Sequence, residues 1–153
     1  MVTNSRVDTA ELAARLRLVI VRTSRRLRQQ ALGAEGTGEL SPTLTASLAS
    51  IDVHGPLTPS ELAQRERVKR PTATRTVARL EELGLVTRTP DPSDGRACIV
   101  ATTAEGRALM KRLRTRKNAY LAHRIRGLPP EELEALEHAA EILERLLENE
   151  DEA

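Results

Sequence analysis

From Leu57 to Thr103 the chain reads LTPSELAQRERVKRPTATRTVARLEELGLVTRTPDPSDGRACIVATT. Its punctuation divides it into two short helices and a hairpin. Thr58 and Glu61 stand at capping-box spacing, with Pro59 at the first helical position. The next helix is RPTATRTVARLEELG, with Pro71 suited to its first turn and Gly84 to its C-terminal stop. Pro71 at the first helical position makes Arg70 the N-cap, a poor capping type. The runs LVTRT and ACIVA favour β-structure and flank TPDPSDGR. Asp94-Gly95 is a turn pair, because both residues tolerate positive φ.

Working outward, SPTLTASLASIDVHG reads as a helix capped by Ser41, with Pro42 in its first turn and Gly55 at its end. Before it, GAEGTGE breaks the chain after a helix over residues 8–32, on which Leu12, Leu16, Ile20 and Leu27 form a stripe. After the hairpin comes a long basic helix, TTAEGRALMKRLRTRKNAYLAHRIRGL, capped by Thr102 or Thr103. PPEELEALEHAAEILERLLENEDEA is the last helix, with Leu133, Leu136, Ala140, Leu143 and Leu147 on one face and a frayed tail after Glu148. The chain is thus mainly α with a small β-hairpin wing. Its middle, residues 40–102, has a winged helix-turn-helix plan.

Composition narrows the chemistry. Of the 153 residues 39% are hydrophobic, so the chain can bury a core, but it has one Tyr and no Phe or Trp. Aromatic stacking at any site is therefore limited to Tyr120. The single cysteine, Cys98, excludes an intramolecular disulfide. No run approaches the ~20 apolar residues of a membrane span, and the first residues lack a signal-peptide pattern. The expectation is a cytoplasmic protein without membrane association. No phosphate loop, metal cluster or nucleophile motif is present, so neither an enzyme nor a cofactor is expected. His54, His123 and His138 are dispersed, and no metal site is expected.

The net charge of +2 hides an asymmetry. Residues 131–153 hold ten acids and one base, Arg145, which leaves 23 bases and 12 acids in residues 1–130. A basic body suits a polyanion partner; the plainer reading is a solvated charged surface. On the second helix of the pair, Ala73, Val77 and Leu80 share an inward face, with Leu83 at its edge. Pro71, Arg75, Ala78 and Arg79 lie opposite, flanked by Thr72 and Thr74. Small residues, hydroxyls and an arginine at a helix start suit entry into a DNA major groove. Arg65, Arg67, Lys69 and Arg70 lead into it. At the hairpin tip Arg96 leaves the turn, suited to a minor groove, with Asp94 expected to brace its guanidinium fork. The alternative is a solvated turn.

These residues resemble the MarR family of winged-helix transcriptional regulators. The family's wing pattern stands here as Asp91, Asp94, Arg96, Val100, Thr103 and Gly106, and TATRTVARLEELGLVTR is similar to its recognition helix and exit. Thr102 departs from the pattern, where Leu is usual. The resemblance covers nearly the whole chain and implies a single domain over residues 1–153. It implies a homodimer built by residues 8–32 and 103–148, with residues 40–102 reading double-stranded DNA at a near-palindromic operator, most often as a repressor. DNA contacts carried over by position are Arg70, Pro71, Thr72, Thr74, Arg75, Asp94 and Arg96, with Ser41 and Thr58 as backbone contacts. The resemblance further implies a small-molecule effector of unknown identity between the winged lobe and the dimer helices. Arg15, Arg22, Arg25 and Arg26 of the first helix favour an anionic one, unless they are plain surface charges; His123 beside Tyr120 on the same helix is a second candidate lining, unless it is structural or solvated. The exposed apolar stripes of the end helices support a dimer without the resemblance, though packing of the two ends within one chain also satisfies them. Two other functions stay open: a protein-interaction module or anti-repressor without DNA binding, and a thiol redox sensor through Cys98.

Overall fold

The computed structural model describes residues 7–32 and 40–148. The glycine-rich break GAEGTGE and the tail beyond Glu148 lie outside the described residues. The elements follow the order α1 (Thr9–Leu32), α2 (Pro42–His54), α3 (Pro59–Arg65), α4 (Arg70–Glu82), β1 (Val86–Pro90), β2 (Cys98–Thr102), α5 (Ala104–Ile125) and α6 (Pro130–Glu148). The backbone groups into two compact units, Met1–Lys117 and Asn118–Ala153.

Local chemistry sets the helix ends. Asp8 accepts the amides of Ala10 at 2.9 Å and Glu11 at 3.4 Å, which starts α1. Ser41 Oγ accepts the Leu44 amide at 3.3 Å. The Thr58–Glu61 capping box is complete: Thr58 Oγ1 accepts the Glu61 amide at 3.2 Å, and Glu61 Oε2 accepts the Thr58 amide at 2.6 Å. Those bonds hold the Glu61 carboxyl below its ordinary pKa. Helix α5 is capped by Thr103, whose Oγ1 accepts from Gly106 N at 3.1 Å and donates to Gly84 O at 2.6 Å.

 One helix start differs from expectation. The N-cap of α4 is Lys69 and not Arg70: Lys69 is extended (φ −70°, ψ 144°), and its carbonyl accepts the Thr72 and Ala73 amides at 2.9 and 3.2 Å. That carbonyl draws Arg70 into the first turn, and Pro71 beside it loses no bond, because a first-turn amide has no helical partner. No side chain caps α4. Its other end closes as expected: Gly84 takes φ +71°, and Leu85 N donates to Leu80 O at 2.9 Å.

The core of the first unit joins α2, α3, α4, the hairpin and the first half of α5. Leu48, Ile51, Leu62, Val77, Leu80, Val100 and Leu113 are fully buried in it. On α4 the buried face is Ala73, Thr76, Val77 and Leu80, so Thr76 joins the apolar face expected from the sequence. The strands pair antiparallel, from Val86 opposite Thr102 to Pro90 opposite Cys98, one residue later than the runs LVTRT and ACIVA. Leu57 adds a bridge on the other edge of β2, exchanging bonds of 3.1 and 2.8 Å with Val100. This third strand of one residue anchors a ribbon that is marginal alone. Gly106 allows α5 to approach the hairpin, since a Cβ there would lie 2.1 Å from Leu85 O.

Candidate nucleic-acid interface

The outer face of α4 carries Arg70, Pro71, Thr72, Thr74, Arg75 and Arg79, all exposed. Arg79 is paired with Glu82 at 2.9 Å. Arg70 and Arg75 form no salt bridge among the described residues, nor do Arg65, Arg67 and Lys69 in the approach. Thr74 Oγ1 donates to Arg70 O at 3.0 Å, so its hydroxyl retains only acceptor capacity. The approach turns at Arg67, which takes φ +51°. Val68 N donates to Ala63 O at 3.0 Å across this turn, closing α3 with an arginine where glycine is usual.

The hairpin tip spans Asp91 to Ala97 and has its own hydrogen-bond frame. Asp91 Oδ1 accepts the amide and hydroxyl of Ser93 at 2.8 and 2.7 Å, and these bonds lower its carboxyl pKa. Asp91 N donates to Ala97 O at 3.0 Å, and Ala97 N to Asp94 O at 3.0 Å. Two expectations need correction. Asp94 accepts from the backbone amide of Arg96 at 3.0 Å, with no ion pair to its guanidinium. The brace therefore fixes the main chain and leaves the fork free, because the short aspartate reaches the amide two residues on. Positive φ occurs only at Arg67 and Gly84 among the described residues, so Gly95 does not use the left-handed region expected of it. The longer tip, with carboxylates accepting amides, replaces the tight two-residue turn.

The wing is tied to α4 by Arg88 on β1, whose Nε and Nη2 lie 2.8 and 2.7 Å from Glu81 Oε2. Sequence reading missed this pair; nothing in the local pattern of either residue marks it. Ser41 and Thr58 both spend their hydroxyls on caps: Ser41 is exposed, whereas Thr58 is half-buried and also donates to Glu61 Oε2 at 2.9 Å. Cys98 is half-buried on β2. Among the described residues no group of three His, Cys, Asp or Glu is placed to hold a metal. No helix among them is long and apolar enough to cross a membrane.

A separate cavity of about 320 Å³ opens between α1, α2 and α5. Arg25, Arg28 and Lys117 meet there over an apolar floor of Ala31, Pro42 and Leu113. A larger groove of about 730 Å³ shares Arg28, Pro42, Thr45 and Lys117 and extends to Glu66, Val68 and Met110. Of the first-helix arginines singled out by sequence, Arg25 lines the cavity; Arg15, Arg22 and Arg26 line neither space, and neither do Tyr120 and His123. Arg28, which the sequence reading did not single out, lines both.

Comparison with known proteins agrees with this geometry. The MarR family model matches residues 40–98. An HTH-type transcriptional regulator of Mycobacterium tuberculosis is 34% identical, over 91% of this chain and 94% of its own. The HTH-type transcriptional repressor MdtR of Bacillus subtilis is 30% identical, over 73% of this chain and 72% of its own. The fold is shared with Streptococcus pneumoniae FabT, whose crystal structure is in complex with DNA: the TM-score is 0.72 at 20% identity, covering 93% of this chain and 99% of that one. The chain belongs to the MarR family of winged helix-turn-helix transcriptional regulators.

Proposed function

We propose that the chain is a sequence-specific DNA-binding regulator that acts as a homodimer on a near-palindromic operator. One observation carries this reading: exposed arginines that form no ion pair among the described residues stand at both the α4 face (Arg70, Arg75) and the wing tip (Arg96), while Arg79 and Arg88 beside them are paired. In the proposal α4 enters the major groove, where Arg75 reads base edges, and Arg96 enters the flanking minor groove. Arg70, Pro71, Thr72 and Thr74 line the approach, Asp94 holds the backbone of Arg96, and Ser41 and Thr58 are backbone contacts at the rim. The uncapped start of α4 leaves a place for a phosphate oxygen.

Residues 8–32 and 103–148 are proposed to build the dimer, leaving residues 40–102 to bind DNA. Support comes from apolar side chains left open on both end helices, including Leu16, Val19 and Ile20 on α1 and Leu133, Leu136 and Leu147 on α6. Repression is the proposed outcome, in keeping with the name of the Bacillus subtilis relative, and the cytoplasm is the proposed location. The cavity over Leu113 is proposed as the effector site. Its three cations suit an anionic group, and its apolar floor suits a hydrophobic body. Such a ligand releases DNA only if it binds the DNA-incompetent state more tightly.

Selection of genomic fragments by the purified protein, followed by footprinting, tests the reading. The expected result is one enriched site with two protected half-sites roughly ten base pairs apart. Failure to enrich any fragment over random duplex at low salt contradicts it.

A further inference from the structure

We infer that Glu66 is the residue through which occupancy of the groove reaches the recognition helix. The inference rests on the proposed effector site, whose cavity shares Arg28, Pro42, Thr45 and Lys117 with the larger groove, and concerns how a ligand that reaches from one into the other acts. The groove has cations at Arg28 and Lys117, whereas Glu66 is its single acid. The Glu66 carboxylate is not idle: Ser50 on α2 donates its hydroxyl to Oε1. Glu66 is also the C-cap residue of α3, with its amide on Leu62 O at 2.9 Å. Directly after it comes Arg67 at φ +51°, a conformation that holds only where its surroundings fix it. Val68 then lines the same groove, and Lys69 is the N-cap of α4. Glu66 thus joins the groove and α2 through its side chain, and through the chain it adjoins a strained residue two positions before Lys69.

This arrangement defines the ligand that acts. An anionic head is held by Arg28 and Lys117, and an apolar body lies along Val68 and Met110. A second negative charge near Glu66 is repelled, whereas a hydroxyl or amine at the far end of the ligand can donate to its carboxylate. Such a donor, placed in the groove, draws the carboxylate toward itself and away from Ser50. Once Ser50 is displaced, the α3–α4 turn loses this polar tie to α2, and the first turn of α4 loosens while its buried face stays packed. A ligand with the head and body but no distal donor fills the groove without loosening the turn.

The test uses alkanoates and ω-hydroxyalkanoates of roughly six to twelve carbons on the full chain. Calorimetry reads binding, amide hydrogen exchange at Arg67 and Val68 reads the turn, and affinity for the selected duplex reads the DNA face. Both series are expected to bind. Only the hydroxy acids should speed exchange at the turn and weaken DNA binding, by about tenfold. Glu66→Gln should bind both series but lose the difference between them. Ser50→Ala, a milder change, should show fast exchange at the turn with no compound present. Equal effects of the two series at the turn, or slow exchange in Ser50→Ala, overturn the relay alone. Absence of binding by either series overturns the effector site and the relay with it. Accelerated exchange in a protein that binds no DNA leaves the relay standing and removes the DNA-binding reading.

Discussion

Thr102 occupies a position where a hydroxyl has nothing to do. Its Oγ1 is buried without a hydrogen-bond partner, while its Cγ2 abuts the space beside Gly106. A buried hydroxyl without a partner carries its desolvation penalty in full. Thr102→Val keeps the shape and removes the hydroxyl, and should raise stability by about 1 kcal/mol in urea unfolding. Arg67 offers a second gain. Its left-handed backbone favours glycine, so Arg67→Gly should stabilise the fold by about 0.5–1 kcal/mol, read as a higher Tm. Two carboxyls define an acid-sensitive range. Asp91 and Glu61 have lowered pKa values because amides and hydroxyls donate to their charged forms. Their contributions are therefore complete above the ordinary carboxylate range and fall away as pH drops through the lowered values. An NMR titration should place both midpoints below those of ordinary aspartate and glutamate; unshifted midpoints contradict the bonds drawn here.

At the scale of elements, the sequence was most legible where a turn or cap needs a particular residue type. Ser41, the Thr58–Glu61 pair and Gly84 end their helices as read, because few side chains meet those geometries. The α4 start moved by one residue because neither Lys69 nor Arg70 has a capping side chain, so the carbonyl bonds alone decided it. The wing tip was misread for a related reason: Asp-Gly suits a tight turn, but Asp91 and Asp94 offered the amides a wider frame. Contacts between distant segments left no local signature at all, as with Arg88–Glu81 and the Leu57 bridge. Gly106 is the position where two elements come closest. Gly106→Ala should cost about 1–3 kcal/mol, because the added Cβ meets the Leu85 carbonyl. Unchanged urea stability would mean that α5 can shift freely from the hairpin.

For the whole molecule, the proposed DNA contact is a clamp with one arm on α4 and another on the wing. Both lie in the first unit, on elements packed around the Leu80–Val100 core. The candidate site was largely visible in the sequence, since arginines at a helix start and beyond a turn are exposed by construction. What could not be read was which arginines are already neutralised: Arg79 and Arg88 are paired, whereas Arg75 and Arg96 have no ion pair among the described residues. The groove was also hidden, because its walls come from α1, α2, α5 and the α3–α4 turn. The most direct measurement is the affinity of the parent, Arg75→Ala and Arg96→Ala for the selected operator across a range of salt concentrations. The clamp predicts that each substitution weakens binding by about tenfold or more, that Arg75→Ala also relaxes sequence preference, and that the parent loses affinity steeply as salt rises. Parent-like binding by both variants, with their fold intact, contradicts it.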